Sequence, residues 1–147
     1  MANMILYAMD KYKTPVEKVF VTGGSSGAMM ANVLAATYPQ LISAVSAYSG
    51  VAAGCFVSSS GGVAAWNNTC SGGSSRATAP NNYGEQVKQW TNVLGENVER
   101  KDFPAKGFST SDYTDKEGTV WVEGIWAQGV GHSVPPNLSA SKTWFGL

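Results

Sequence analysis

Val19-Phe20-Val21-Thr22-Gly23-Gly24-Ser25-Ser26-Gly27-Ala28-Met29-Met30 is the stretch on which the fold turns. Val19-Phe20-Val21 is a short run of β-branched and aromatic residues, suited to a buried parallel strand. From Ala28 to Tyr38, the residues Met29, Met30, Val33, Leu34 and Thr37 recur at helical spacing until Pro39 stops them. Between the two lies Gly23-x-Ser25-x-Gly27, where small neighbours let the chain reverse sharply and leave a serine hydroxyl exposed at the bend. The spacing predicts strand, tight turn, helix. Ala44-Val45-Ser46-Ala47-Tyr48 reads as a second strand ending at Ser49-Gly50, which completes a βαβ unit and predicts an α/β fold.

Upstream, Met1, Met4, Ile5, Ala8, Met9 and Tyr12 repeat as one face of an amphipathic helix, which Thr14-Pro15 ends. Downstream, residues 50–80 are rich in Gly, Ser, Ala and Asn without a sustained period and read as an ordered surface loop. Asn82 is placed to cap a helix from Tyr83 to Leu94, with Val87, Trp90, Val93 and Leu94 on one side. The charged stretch from Glu96 to Gly107 reads as solvated loop, and Thr119 to Ala127 alternates as a strand does. Gly129-Val130-Gly131-His132 forms a turn, and Leu138 to Phe145 is a short terminal helix held back by Pro135-Pro136. There are no internal repeats, and 147 residues have the length of a single domain, 1–147.

Bulk composition narrows the function classes. Apolar residues make up 44% and charged residues 14%, which argues for a folded chain. Ten basic residues balance ten acidic ones, so no broad field draws the chain to nucleic acid or to an anionic membrane. No run of about 18 apolar residues is present to span a membrane, and the N-terminus does not read as a signal peptide. Five tryptophans and six tyrosines supply flat faces suited to sugar rings as well as to a core. Cys55 and Cys70 are spaced so that a disulfide would stabilise by about 3 kcal/mol, with two free thiols as the alternative. Asn67-Asn68-Thr69 and Asn137-Leu138-Ser139 are acceptor triplets for N-glycosylation.

The glycine turn admits three chemistries, and its surroundings decide among them. A dinucleotide-binding turn needs a glycine at position 29, where this chain has Met29, and an acidic residue about 20 positions on. No Asp or Glu occurs between Ser25 and Glu85, and the only Tyr-x-x-x-Lys pair, Tyr7 and Lys11, precedes the turn. A phosphate-cradling loop needs a lysine that is missing. A nucleophile elbow needs the strand before and the helix after, and both are predicted. The helix N-terminus would place the Ser26 N–H and the helix dipole beside the oxyanion formed when Ser25 attacks a carbonyl. His132, the only histidine, lies C-terminal to the serine on a loop after a strand, the order that elbow hydrolases use for the general base. No second histidine or cysteine cluster is available for a metal site. A third, acidic member should fall between Glu85 and Glu123, but Asp102, Asp112 and Asp115 all sit in loop-like, solvated sequence and none is singled out.

The run from Val19 to Met30 resembles the elbow of fungal acetylxylan and feruloyl esterases of carbohydrate esterase family one, relatives of the poly(3-hydroxybutyrate) depolymerase-like esterases. Ser49-Gly50-Val51, Ala53-Gly54-Cys55-Phe56, Trp66-Asn67-Asn68-Thr69-Cys70, Lys88-Gln89-Trp90, Gln128-Gly129-Val130-Gly131-His132 and Trp144-Phe145-Gly146 resemble that family in the same order. The resemblance implies a secreted, monomeric serine esterase acting on acetylated or feruloylated xylan without metal or organic cofactor. It implies Ser25 as nucleophile, His132 as base, Ser26 as backbone oxyanion donor, Trp66 in the substrate pocket, and a bridge between Cys55 and Cys70. It further implies that the family has a segment ahead of Met1, with several strands and a second oxyanion donor. Between Pro80 and Asn81 the family has a helix, a strand and a turn bearing the catalytic aspartate. The expectation is therefore an α/β-hydrolase fold that is incomplete, with several strands of its central parallel sheet missing. The alternative reading is a non-catalytic remnant that at most binds glycans.

Overall fold

The structure, a computed structural model, describes residues 1–51, 58, 60–62, 87–88, 90–91, 96–101, 106–131 and 134–147. The chain divides into two compact units, Met1–Gly50 with Pro135–Leu147, and Val51–Val134.

The first unit is built on the predicted βαβ arrangement. Strand β1 (Phe20–Gly24) pairs in parallel with β2 (Ala44–Tyr48), in register from Phe20 opposite Ala44 to Gly24 opposite Tyr48. Helix α2 (Ser26–Thr37) makes the crossover and packs on both strands. Its buried positions are Ala28, Ala31, Asn32 and Leu34. Of the predicted stripe only Leu34 is among them, and Met30 and Val33 are exposed. The reason is local: α2 carries no charged residue, so its apolarity has no wet side from which a face could be read, and the small alanines let its axis lie close to the strands. Asn32 is 5% exposed, and no partner is recorded for its Nδ2 among the described residues.

Helix α1 (Ala2–Tyr12) forms where its periodicity predicts and ends at Lys13, which takes a left-handed conformation two residues before Pro15. Its apolar face is not buried: Met4, Ala8 and Tyr12 are exposed, Ile5 and Met9 are half-buried, and the helix has no buried residue. The terminal helix α3 (Leu138–Trp144) is capped by Asn137, whose side-chain oxygen accepts from the Ala140 N–H at 3.0 Å. Phe145, just past its end, stacks on Phe20 of β1 with ring centroids 4.6 Å apart.

The second unit contains an antiparallel sheet in the order β3-β4-β5, formed by Glu96–Lys101, Phe108–Thr114 and Val120–Ala127. Strand β5 is as predicted. Strand β3 corrects the loop reading of 96–107, at least for Glu96–Lys101, which pairs along its length with β4. Edge strands commonly carry charged residues, and β3 lies at the edge of the sheet among the described residues, so charge density alone did not separate edge strand from loop. The β4–β5 turn is organised by Asp115: its Oδ1 accepts from the N–H groups of Glu117 and Thr119 at 3.1 and 2.9 Å, and Gly118 takes φ 82°. The register shifts at Tyr113/Thr114, leaving Trp121 unopposed between Val120 and Val122. In the expected helix 83–94, Val87, Lys88, Trp90 and Thr91 are helical, and the rest lies outside the described residues.

Candidate active site

The Gly23–Gly27 turn is built by two constraints. Gly23 is required by contact: a Cβ added there would lie 2.4 Å from both the carbon and the oxygen of the Gly27 carbonyl and 2.8 Å from the Ala28 nitrogen. All three are main-chain atoms of the facing side of the turn and have no flexible end to swing away. At Gly24 and Gly27 a Cβ would meet nothing within 4 Å among the described residues. The first glycine of the motif thus closes the bend.

Ser25 stands at the apex as the N-cap of α2 with φ 54° and ψ −118°. A non-glycine residue in that region stores about 1–3 kcal/mol of backbone strain and persists only where the surroundings over-determine it. Those surroundings are visible. The Ser25 N–H donates to the Tyr48 carbonyl at 2.9 Å, and the Ser25 carbonyl accepts from the N–H groups of Ala28 and Met29 at 3.1 and 3.2 Å. The serine is exposed. Ser49, directly after β2, is a second non-glycine residue with positive φ, at 53°.

Ser26 opens α2, and the first N–H groups of a helix have no partner within it. No acceptor is recorded for the Ser26 or Gly27 N–H among the described residues. The main chain here presents donors and the positive end of a twelve-residue helix beside the serine.

The remaining predicted residues are placed less fully. His132, Trp66, Cys55 and Cys70 lie outside the described residues. Gly129, at the head of the predicted histidine turn, has φ 72°, and the Val130 N–H reaches the Ala127 carbonyl at 3.4 Å. Among the three aspartates considered for the acid, Asp102 is also outside the described residues. Asp115 is committed elsewhere: besides its two turn bonds, its Oδ2 accepts from the Trp121 indole N–H at 2.6 Å. The Trp121 bond, with the main-chain bond from Thr119 next, holds its carboxyl below the ordinary aspartate value, against a small opposing effect of desolvation. Its role is to hold the turn. Tyr48 was not among the predicted site residues. Only its position at the end of a strand beside Ser49-Gly50 hinted that its carbonyl would face the elbow.

No family model matches the sequence. Relatives do. The chain is 39% identical to a probable acetylxylan esterase A of Aspergillus clavatus, over 99% of its own length and 58% of that protein's. It is 38% identical to acetylxylan esterase A of Aspergillus awamori, covering 59% of it, and 38% identical to that of Talaromyces purpureogenus, covering 47%. The first of these alignments runs over 182 positions against the 147 residues of this chain, so at least 35 positions have a residue in the relative and none here. Among solved structures, an acetyl xylan esterase from Aspergillus awamori superposes with a TM-score of 0.85 at 35% identity, over 99% of this chain and 65% of that one. The α/β arrangement read from the sequence is thus shared with a solved esterase, in part of its length. The chain spans about half to three fifths of the curated relatives it matches, and by sequence and fold it is a homologue of the fungal acetylxylan esterases.

Proposed function

We propose that this chain carries the nucleophile half of a serine carboxylic-ester hydrolase that removes acetyl groups from xylan, acting as one esterase domain over 1–147. The observation that carries the reading is Ser25 itself, strained at φ 54° on a turn between β1 and α2, beside helix N–H groups that have no acceptor among the described residues. In the proposed reaction, His132 takes the Ser25 proton as Oγ attacks the ester carbonyl. The tetrahedral oxyanion is held by the Ser26 N–H, and collapse expels the sugar hydroxyl with the proton from His132. Water then attacks the acyl-serine, His132 again taking and returning the proton, and acetate leaves. Trp66 supplies a stacking face for the sugar. Support for these assignments is the match of His132, Ser26 and Trp66 to the family's sequence blocks.

Feruloyl esters, a secreted and N-glycosylated monomer, and a Cys55–Cys70 bridge belong to the same proposal. For glycosylation at Asn137 the support is that the residue is exposed and caps α3 through its oxygen, leaving its nitrogen for a glycan. A second reading, glycan binding without turnover, is favoured by the resemblance, which implies a catalytic aspartate in a segment the family has between Pro80 and Asn81; at least 35 alignment positions have no residue in this chain. Loss of that acid lowers turnover by about four orders of magnitude.

Hydrolysis of p-nitrophenyl acetate and release of acetate from acetylated xylan, with and without Ser25→Ala, separate the two. Ser25-dependent turnover and phosphonate labelling support the esterase. Xylan binding that survives Ser25→Ala, with no turnover in the folded parent, supports the second reading.

A further inference from the structure

Tyr48 is engaged at both ends. Its carbonyl accepts the Ser25 N–H at 2.9 Å, and its hydroxyl donates to the Asn137 carbonyl at 3.0 Å. The same hydroxyl meets the Ser141 hydroxyl, which in turn lies 2.8 Å from the Ser46 hydroxyl. Counting protons fixes the direction of this chain. A phenol has one hydrogen, and Asn137 takes it. Ser141 must then donate to Tyr48, and Ser46 to Ser141, while the Ser46 carbonyl accepts from the Thr22 hydroxyl at 3.0 Å. Ser141 is 6% exposed, so its hydroxyl has little water to fall back on. A line of three hydroxyls, those of Ser46, Ser141 and Tyr48, thus joins β2 to α3, and Thr22 of β1 is tied to it through the Ser46 carbonyl.

We infer that Tyr48 is a positioning residue of the esterase: its hydroxyl, tied to Asn137 and Ser141, anchors the end of β2 whose carbonyl holds the Ser25 N–H, and so fixes the nucleophile turn. This rests on the esterase reading of Ser25 and His132. Packing of α3 on β1 has its own source in the Phe20–Phe145 stack, so the hydroxyl is not needed merely to keep the helix in place.

The test is Tyr48→Phe in the full chain, which keeps the ring and the carbonyl and deletes the hydroxyl. Turnover of p-nitrophenyl acetate is referred to the fraction of molecules titrated by a phosphonate, so that loss of folded protein does not count. The expected result is a kcat lowered about 10- to 100-fold with KM changed less than about twofold, because displacement by an ångström of a group acting only in the transition state costs rate and not ground-state binding. Amide exchange across 138–145 should rise in the same variant. A kcat per titrated site equal to the parent's overturns the inference while leaving the esterase reading standing. A parent without Ser25-dependent turnover overturns the esterase reading, and the positioning role with it. Should Tyr48→Phe fail to fold, Ser141→Ala, which removes one of the hydroxyl's two partners, carries the test: a fall in kcat at constant KM supports the inference, and an unchanged kcat overturns it.

Discussion

Gly23→Ala should break the elbow where Gly24→Ala and Gly27→Ala spare it. The added methyl at position 23 would lie 2.4 Å from two main-chain atoms of Gly27 and 2.8 Å from the Ala28 nitrogen. Carbon atoms rest about 3.5–4.0 Å apart, so the facing wall must retreat by about 1 Å. That wall is the first turn of α2, held in place by the bonds from Ala28 and Met29 to Ser25. Moving it costs at least the upper end of the 1–3 kcal/mol usual for overpacking, about 3 kcal/mol. At about 3 °C per kcal/mol for a chain of this size, the melting temperature should fall by about 10 °C. Gly24 and Gly27 have open space among the described residues and no positive φ, so alanine there should be neutral or stabilising by up to about 1 kcal/mol. Thermal melts by circular dichroism, run alongside the rate of phosphonate labelling at Ser25, read both consequences. In Gly23→Ala the labelling rate should drop at least about tenfold through displacement of the serine. If Gly23→Ala melts and labels like Gly24→Ala, the argument that the first glycine closes the bend is refuted.

Asp115→Ala should lower the melting temperature at neutral pH, since the turn loses the acceptor of three hydrogen bonds. Because the folded carboxyl lies below its ordinary value, the stabilisation is present above the unfolded aspartate pKa and lost as pH falls through the folded one. The difference between parent and variant melts should therefore shrink on acidification, and a difference that grows would contradict the assignment. Phe145→Ala removes one member of the half-buried stacked pair with Phe20 and should cost about 2 kcal/mol, measurable by urea unfolding.

The parts of the molecule legible in the sequence were those fixed by neighbours close in the chain. Val19-Phe20-Val21, the glycine turn and Ala44–Tyr48 announced strand, bend and strand, because β-branching and the absence of Cβ act on the residue that carries them. Burial was less legible. The face of α2 is chosen by what it packs on, and a helix without charge gives no sign of that choice. The exposed face of α1 shows the same limit from the other side, since apolar periodicity forms a helix without naming a cover for it. Charge misled at Glu96–Lys101, where pairing with β4 outweighed a composition that also suits loops. Within the site, Ser25 was found from its glycines, whereas Tyr48 acts through a carbonyl and a hydroxyl that meet Ser25 and Asn137 across 23 and 89 residues of chain. No local pattern encodes such a meeting.

The strained backbone at Ser25 makes that position a gauge of what a population of sequences is being selected for. Glycine accepts φ 54° with little strain, so replacing the serine should raise the stability of the turn by about 1 kcal/mol while removing the only hydroxyl at the apex. Selection for thermal resistance alone should carry variants of this chain toward glycine at position 25. Selection for ester cleavage should hold serine there in spite of its conformation, so the outcome of parallel enrichments records whether the turn is maintained for its chemistry or only for its shape.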